Sequence, residues 1–175
     1  GQGSYIHQTM EKLHENLGVK FLALHLDGFG GIGTTKEIKD PATPGTDKGV
    51  VIRVPPMDVF RQNPADLGFR TVTIPFTETY QAMQTGVVDG WSGGTIANNY
   101  HQVGDLIKYF YKYDNYFDNT SLLMNLKLWN QMSSEDQKII SDAANELWQA
   151  SVKDAEKYDK EYLEKLKEKG ITVIE

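Results

Sequence analysis

The stretch from Ser134 to Gly170 constrains the fold most. Ile140, Ala144, Leu147, Trp148, Val152, Ala155, Tyr158, Tyr162 and Leu166 keep an apolar stripe at helical spacing, and Gly170 is a natural stop. Ser134 opens it, with Gln137 three residues on, a capping-box spacing. Such a helix runs for roughly 35 residues, about 50 Å at about 1.5 Å per residue, whereas a small domain is about 30 Å across. It must bend or lie along more than one domain. The stripe keeps no a/d heptad with a leucine or β-branched seam, so a coiled coil is set aside.

The rest of the chain alternates between helix and strand patterns. Ile6, Met10, Leu13 and Leu17 predict a helix over 5–17, stopped by Gly18. A mostly buried strand is expected over 19–26, then a Gly/Thr/Pro-rich connection over 28–46. Val50–Val54 reads as a second strand ended by Pro55-Pro56, followed by a short helix over 57–67. Thr71–Ile74 is a third strand, and Thr77 is the expected N-cap of a helix that ends near Gly86. Val87–Gly90 reads as a short strand and turn, 96–111 as helical or mixed, and 120–126 as a strand. Ile171–Ile174 begins one more strand where the chain stops, so both ends read as cut. The alternation predicts an α/β fold with parallel strand pairs.

Composition excludes several function classes. The 175 residues suffice for one ordinary domain, or one and a half small ones. A net charge of −6 with no basic cluster argues against nucleic acid as a partner. With no cysteine there is no disulfide or thiolate chemistry. No stretch approaches the roughly 18 apolar residues of a membrane span. Gly1-Gln2-Gly3-Ser4 lacks a basic region followed by an apolar core, so no signal peptide is expected in this stretch.

Several constellations invite a chemical reading. Gly28-Phe29-Gly30-Gly31-Ile32-Gly33 satisfies G-x-G-x-x-G after a strand, and Asp47 follows where a ribose-binding acid would be sought. A dinucleotide site needs the last glycine to open a helix toward the pyrophosphate. Residues 34–45 carry two prolines and no apolar stripe, so a flexible hinge-like connection is the favoured reading. His7, Glu11 and His14 share a helical face, but no fourth ligand suggests itself, and no metal is expected. His25 reads as a core or crevice residue. There is no G-x-S-x-G elbow. Arg53 stands apart: it interrupts an apolar strand at its C-terminal end. Ligands of open α/β sheets sit beyond the carboxyl ends of strands, and a guanidinium there fits a carboxylate with two parallel hydrogen bonds.

Two segments carry a resemblance. Lys48-Gly49-Val50-Val51-Ile52-Arg53-Val54-Pro55 is similar to a K-G-x-K-I-R-V-P strand, and residues 73–91, with Pro75-Phe76-Thr77-Glu78-Thr79-Tyr80 and Gln84-Thr85-Gly86-Val87-Val88-Asp89-Gly90, to a P-hydrophobic-S/T-E-x-Y-x-A-L/M-Q-T-G-x-V-D-G segment. Leu128–Gln137 is similar to W-x-x-L-x-x-E-x-Q. In order and spacing these resemble the solute-binding proteins of TRAP-type (tripartite ATP-independent periplasmic) transporters, the DctP-like family. The resemblance covers nearly the whole chain and the later half or so of a family member.

The resemblance implies a periplasmic-binding-protein-like α/β fold: domain II plus part of domain I, with a long C-terminal helix spanning both. Residues 1–27 would end domain I, 28–47 form the hinge connection, 48–125 the ligand-binding core, and 126–175 the spanning helix and the start of a return strand. It implies a periplasmic, non-enzymatic protein without cofactor, made with a signal peptide, that hands a small organic acid to TRAP membrane subunits. Arg53 takes the place of the family's carboxylate-pairing arginine, and Phe76 that of its cleft aromatic. Trp91, Ser92, Gly93, Gly94 and Thr95 stand where the family lines the cleft, with Trp91-Ser92-Gly93-Gly94 replacing its Gln-Glu-Asn-Pro run. A second polar anchor is left unassigned, and a flat or apolar ligand part is expected to stack on Trp91. Missing part of domain I, the piece is expected to expose apolar surface and self-associate. The alternatives are a ligand-sensing module without transport and a nucleotide-dependent α/β enzyme.

Overall fold

A computed structural model describes residues 3–175 of the chain. Its six helices and eight strands follow in the order α1 (Tyr5–Glu15), β1 (Val19–Phe29), β2 (Ile32–Thr34), β3 (Val51–Val54), α2 (Asp58–Asp66), β4 (Arg70–Thr73), α3 (Thr79–Gln84), β5 (Gly90–Trp91), α4 (Ile96–Val103), β6 (Tyr109–Tyr111), β7 (Phe117–Asn125), α5 (Leu126–Gln131), α6 (Ser134–Glu168) and β8 (Thr172–Ile174). A single 3-10 turn, Phe76–Glu78, leads into α3.

The long helix is present as α6, 35 residues from Ser134 to Glu168. Its cap lies one residue earlier than the sequence suggests. Ser133, not Ser134, accepts from the Asp136 N–H at 3.1 Å and donates to the Asp136 carboxylate at 2.7 Å. Both serines have a polar residue three positions on. Gln137 is drawn away, because its Nε2 donates to the Trp129 carbonyl at 2.8 Å and ties α6 to α5. At the other end Gly170 takes φ +82°. Gly170 N–H bonds Lys167 O and Ile171 N–H bonds Leu166 O, a Schellman motif that satisfies the last carbonyls.

The chain divides into two compact units, one of residues 1–27 and 119–157, the other of 28–118 and 158–175. Strands β1 and β7, which pair as a two-stranded sheet, and helix α6 contribute residues to each.

In the first unit Leu22, Ala23, Trp129 and Ala144 form the core, with Met124, Leu126, Met132, Ile140 and Trp148 packed against it. Ser4 caps α1 by accepting from His7 N–H. His7 and His14 do not converge on a site. Their rings flank buried Phe21 at 5.2 and 5.3 Å, and Glu11 pairs with Lys20 at 2.7 Å. Among the described residues no group of ligating side chains is placed to hold a metal. His25 is half-buried, with its Nδ1 3.1 Å from the Asp27 carboxylate. Ile6 and Leu13 of α1 are exposed, as are Leu17, Leu122, Leu123 and Leu128.

The second unit is built on a six-stranded sheet in the order β4-β3-β5-β2-β6-β8. β3 runs parallel to β4 and β5, β2 antiparallel to β5 and β6, and β6 parallel to β8. Side chains alternate across it. Trp91, Phe110 and the α4 residues Ile96 and Val103 share one core with Ala82, Met83, Leu163 and Leu166. Ile32, Ile52, Val50, Phe69 and Tyr111 form the other. The stretch 28–46 is therefore not all connection, since β2 lies inside the sheet. The glycine run falls on the end of β1, a bridge from Gly30 to Thr95, and β2. No helix opens after Gly33, so the context a dinucleotide motif needs is missing. The loop that follows is pinned by Lys48, buried, whose ammonium donates to the carbonyls of Asp40 and Thr43 at 2.6 and 2.5 Å.

Candidate functional site

Arg53 lies in β3 with β4 on one side and β5 on the other, aligned with Val72 and Trp91. Val54 and Pro55 end the strand just beyond it, so its side chain stands at the carboxyl edge of the parallel strands. It is 2 % exposed. Its Nε donates to the Ile74 carbonyl at 2.7 Å, which fixes the guanidinium plane. Its Nη1 is buried and has no hydrogen-bond partner. Burial pulls the Arg53 pKa below the ordinary arginine value, against the opposing influence of Tyr116. A charged donor without an acceptor costs free energy in the folded protein unless something arrives to accept from it.

Phe76 and Trp91 form the wall beside that guanidinium. The Arg53 guanidinium carbon is 5.9 Å from the centre of the Phe76 ring, and Phe76 and Trp91 lie 6.0 Å apart. Their exposures differ sharply: Phe76 is 52 % exposed, Trp91 0 %. The indole N–H of Trp91 donates to buried Asn99 at 2.8 Å, and Gly94 has no room for a side chain because a Cβ there would stand 2.5 Å from the indole. Trp91 is placed as a core residue with Phe76 in front of it, not as an open stacking face.

The segment after Trp91 returns to Arg53. Ser92 N–H bonds the Arg53 carbonyl at 2.9 Å, and the buried Ser92 hydroxyl has no partner. Gly93 holds φ +108°, a conformation glycine adopts without strain. A Cβ there would meet Pro55 at 2.7 Å and come within 3.6 Å of Arg53 Nη1. Thr95 is committed locally. It caps α4 by accepting from Asn98 N–H, and the Asn98 side chain accepts from the Thr95 N–H in return. Arg53, Phe76, Ser92 and Gly93 thus converge, Trp91 and Gly94 back them, and Thr95 anchors the helix behind.

Two further residues shape the site. Asp89 accepts from Val51 N–H at 3.0 Å and from Lys36 at 2.6 Å, holding the start of β3. Burial alone would raise its pKa, but these hydrogen bonds outweigh it and hold the carboxyl below the usual range. Tyr116 was not anticipated from sequence. Its hydroxyl donates to the Gly94 carbonyl at 2.7 Å and its ring packs edge-to-face on Phe60 at 5.5 Å. A Cβ at Gly30 would stand 2.2 Å from that ring. Burial, then the nearby Asp118, pushes the Tyr116 phenol well above the ordinary range, so it stays neutral.

The family model for bacterial extracellular solute-binding protein, family 7 (DctP), matches residues 1–175. The chain belongs to this family. The chain is similar to the C4-dicarboxylate-binding protein DctB of Bacillus subtilis, 29 % identical over 94 % of this chain and 46 % of that protein. A TRAP periplasmic solute-binding protein of Haemophilus influenzae with bound L-gulonate superposes with a TM-score of 0.85 at 24 % identity, over 98 % of this chain and 56 % of that one. One from Pseudomonas aeruginosa with bound L-malate gives 0.84 at 22 %, over 99 % of this chain and 60 % of that one. The mixed α/β fold is that of the TRAP solute-binding proteins, and the family is one of binding proteins, not enzymes. The chain spans about half the length of the curated relatives it matches. No helix among the described residues is long and apolar enough to cross a membrane.

Proposed function

We propose that the complete protein captures a small organic acid in the periplasm and delivers it to TRAP membrane subunits. One observation carries this reading: a nearly sealed guanidinium at the carboxyl edge of parallel strands keeps one donor nitrogen buried and unpartnered. A carboxylate would supply the missing acceptor in a charge-assisted pair. Phe76 and Gly93 would bound the ligand, Ser92 would offer a hydroxyl, and Trp91, Gly94 and Thr95 would hold that wall in place. Hinged closure, with 28–47 as the hinge connection, would exclude water and strengthen the pair. Names of similar proteins point the same way, with dicarboxylate, gulonate and malate among them.

The test is a thermal-shift panel on the complete protein, in which each small organic acid is paired with its neutral amide. Acids are expected to raise the midpoint and amides to leave it unchanged. Equal stabilisation by acid and amide would remove the carboxylate from the reading.

For the 175-residue piece we also propose self-association. The uncovered leucines and isoleucine of the first unit form the kind of surface that drives it. Light scattering at micromolar concentration is expected to show dimers or larger species, and a monodisperse monomer would refute this.

A further inference from the structure

The group proposed to hold the acid is out of reach as it stands. Arg53 is buried, and its Nη1 is sealed from water. A carboxylate oxygen is as large as a water molecule, so it cannot touch that nitrogen until a neighbour moves. The guanidinium itself is held, by its Nε bond to the Ile74 carbonyl and by β4 and β5 on either side of its strand.

The neighbours differ in their freedom to move. Trp91, aligned with Arg53 across the sheet, is fully buried and tied to Asn99. Gly93 is pressed against Pro55, since a Cβ there would stand 2.7 Å from the proline ring. Phe76 is the exception. Its ring centre lies 5.9 Å from the guanidinium carbon, yet the residue is half exposed. The indole of Trp91, 6.0 Å away, blocks it inward and leaves the solvent side open. Its backbone is a single 3-10 turn, closed by the Glu78 N–H on the Pro75 carbonyl at 3.1 Å, which leaves the sheet directly after Ile74. The segment that fixes the guanidinium plane thus also carries the ring beside it.

We infer that Phe76 is the gate of this site: its ring covers the Arg53 Nη1 in the empty protein and swings outward about its Cα–Cβ bond to admit the carboxylate. This rests on the carboxylate reading of Arg53. Exposed side chains change rotamer faster than ligands arrive, so the apparent association rate scales with the open fraction. A minor state of this kind is typically populated at about 0.1–10 %, so removing the ring should raise access about tenfold or more.

The first experiment needs no ligand. The complete protein is treated with phenylglyoxal, a dicarbonyl that adds to guanidinium groups, and mass spectrometry follows each arginine. Arg61 and Arg70, both exposed, serve as internal references. Arg53 is expected to react far more slowly than they do in the wild type and about tenfold or more faster in Phe76→Ala, with the references unchanged. A thermal scan checks that the variant is folded, and Phe76→Leu, which is shorter than the ring and closer to it in volume than alanine, takes its place if it is not. Equal Arg53 reactivity in wild type and variant would overturn the inference, as would a wild-type Arg53 that reacts like the references. The second experiment is stopped-flow binding of an acid that stabilises the protein. Phe76→Ala is expected to raise the association rate by a similar factor, and a change in dissociation alone would make Phe76 a wall and not a gate. If Arg53 becomes reactive as expected but no acid binds, or if Arg53→Met leaves acid affinity intact, the carboxylate reading is the part overturned.

Discussion

Exchanging Arg53 for methionine is expected to abolish acid binding and, in the unliganded protein, to raise the thermal midpoint. Both effects have one cause. The guanidinium is held almost out of water, and its Nη1 has no acceptor. Removing one partner of a buried, hydrogen-bonded charge pair costs about 2–5 kcal/mol in binding, a loss of roughly 30-fold to several thousandfold in affinity. Without ligand the balance reverses. Methionine has a similar reach and no charge to desolvate, and replacing buried ionic groups by apolar ones of similar size is often neutral or stabilising. Against this stands the lost bond from Nε to the Ile74 carbonyl at 2.7 Å, about 1.5–3 kcal/mol for a charged donor. The two effects largely offset each other, so a net gain of about 1 kcal/mol is expected, a shift of about 2–4 °C. Calorimetry with the best-binding acid and a thermal scan without it read the two effects separately. Undiminished acid affinity would show that the guanidinium does not hold the carboxylate. A lowered midpoint would show that Arg53 serves the fold.

The residues that carry this prediction were readable in the sequence because they interrupt a pattern. Arg53 is a charge inside an apolar strand, and the helix pattern of α6 is long enough to be unmistakable. What could not be read depends on neighbours distant in the chain. β2 is three residues with a glycine at the centre, Ile32-Gly33-Thr34, too short for any periodicity. It is a strand because β5 and β6 flank it. The capping serine of α6 was misplaced by one, because Ser133 and Ser134 look alike until Gln137 finds the Trp129 carbonyl. Tyr116 belongs to the site only because Gly30 and Gly94 leave it room and an acceptor, and nothing local in the sequence joins those three.

Trp91 is fully buried, and its substitution is expected to cost stability rather than selectivity. A tryptophan beside two glycines suggests an open aromatic face. In the fold the bare backbone of Gly94 instead packs onto the indole, and the Phe76 ring lies 6.0 Å from it. Trp91→Ala would leave a large cavity in the core shared by Ile96, Val103 and Phe110, at about 3–5 kcal/mol. Trp91→Phe fills most of that volume but takes away the indole N–H. Asn99, fully buried, would keep its donors on the Thr95 and Gly94 carbonyls while its own oxygen lost its partner. That loss is worth about 1–3 kcal/mol. The asparagine should therefore be the source of the cost, not the ring. Combining Trp91→Phe with a second substitution, Asn99→Leu, tests this by urea denaturation. If the pair costs less than the sum of the single changes, the hydrogen bond is what Trp91 supplies. Should Trp91→Phe leave stability untouched and weaken acid binding instead, the indole faces the ligand after all, and the stacking role first expected of it is restored.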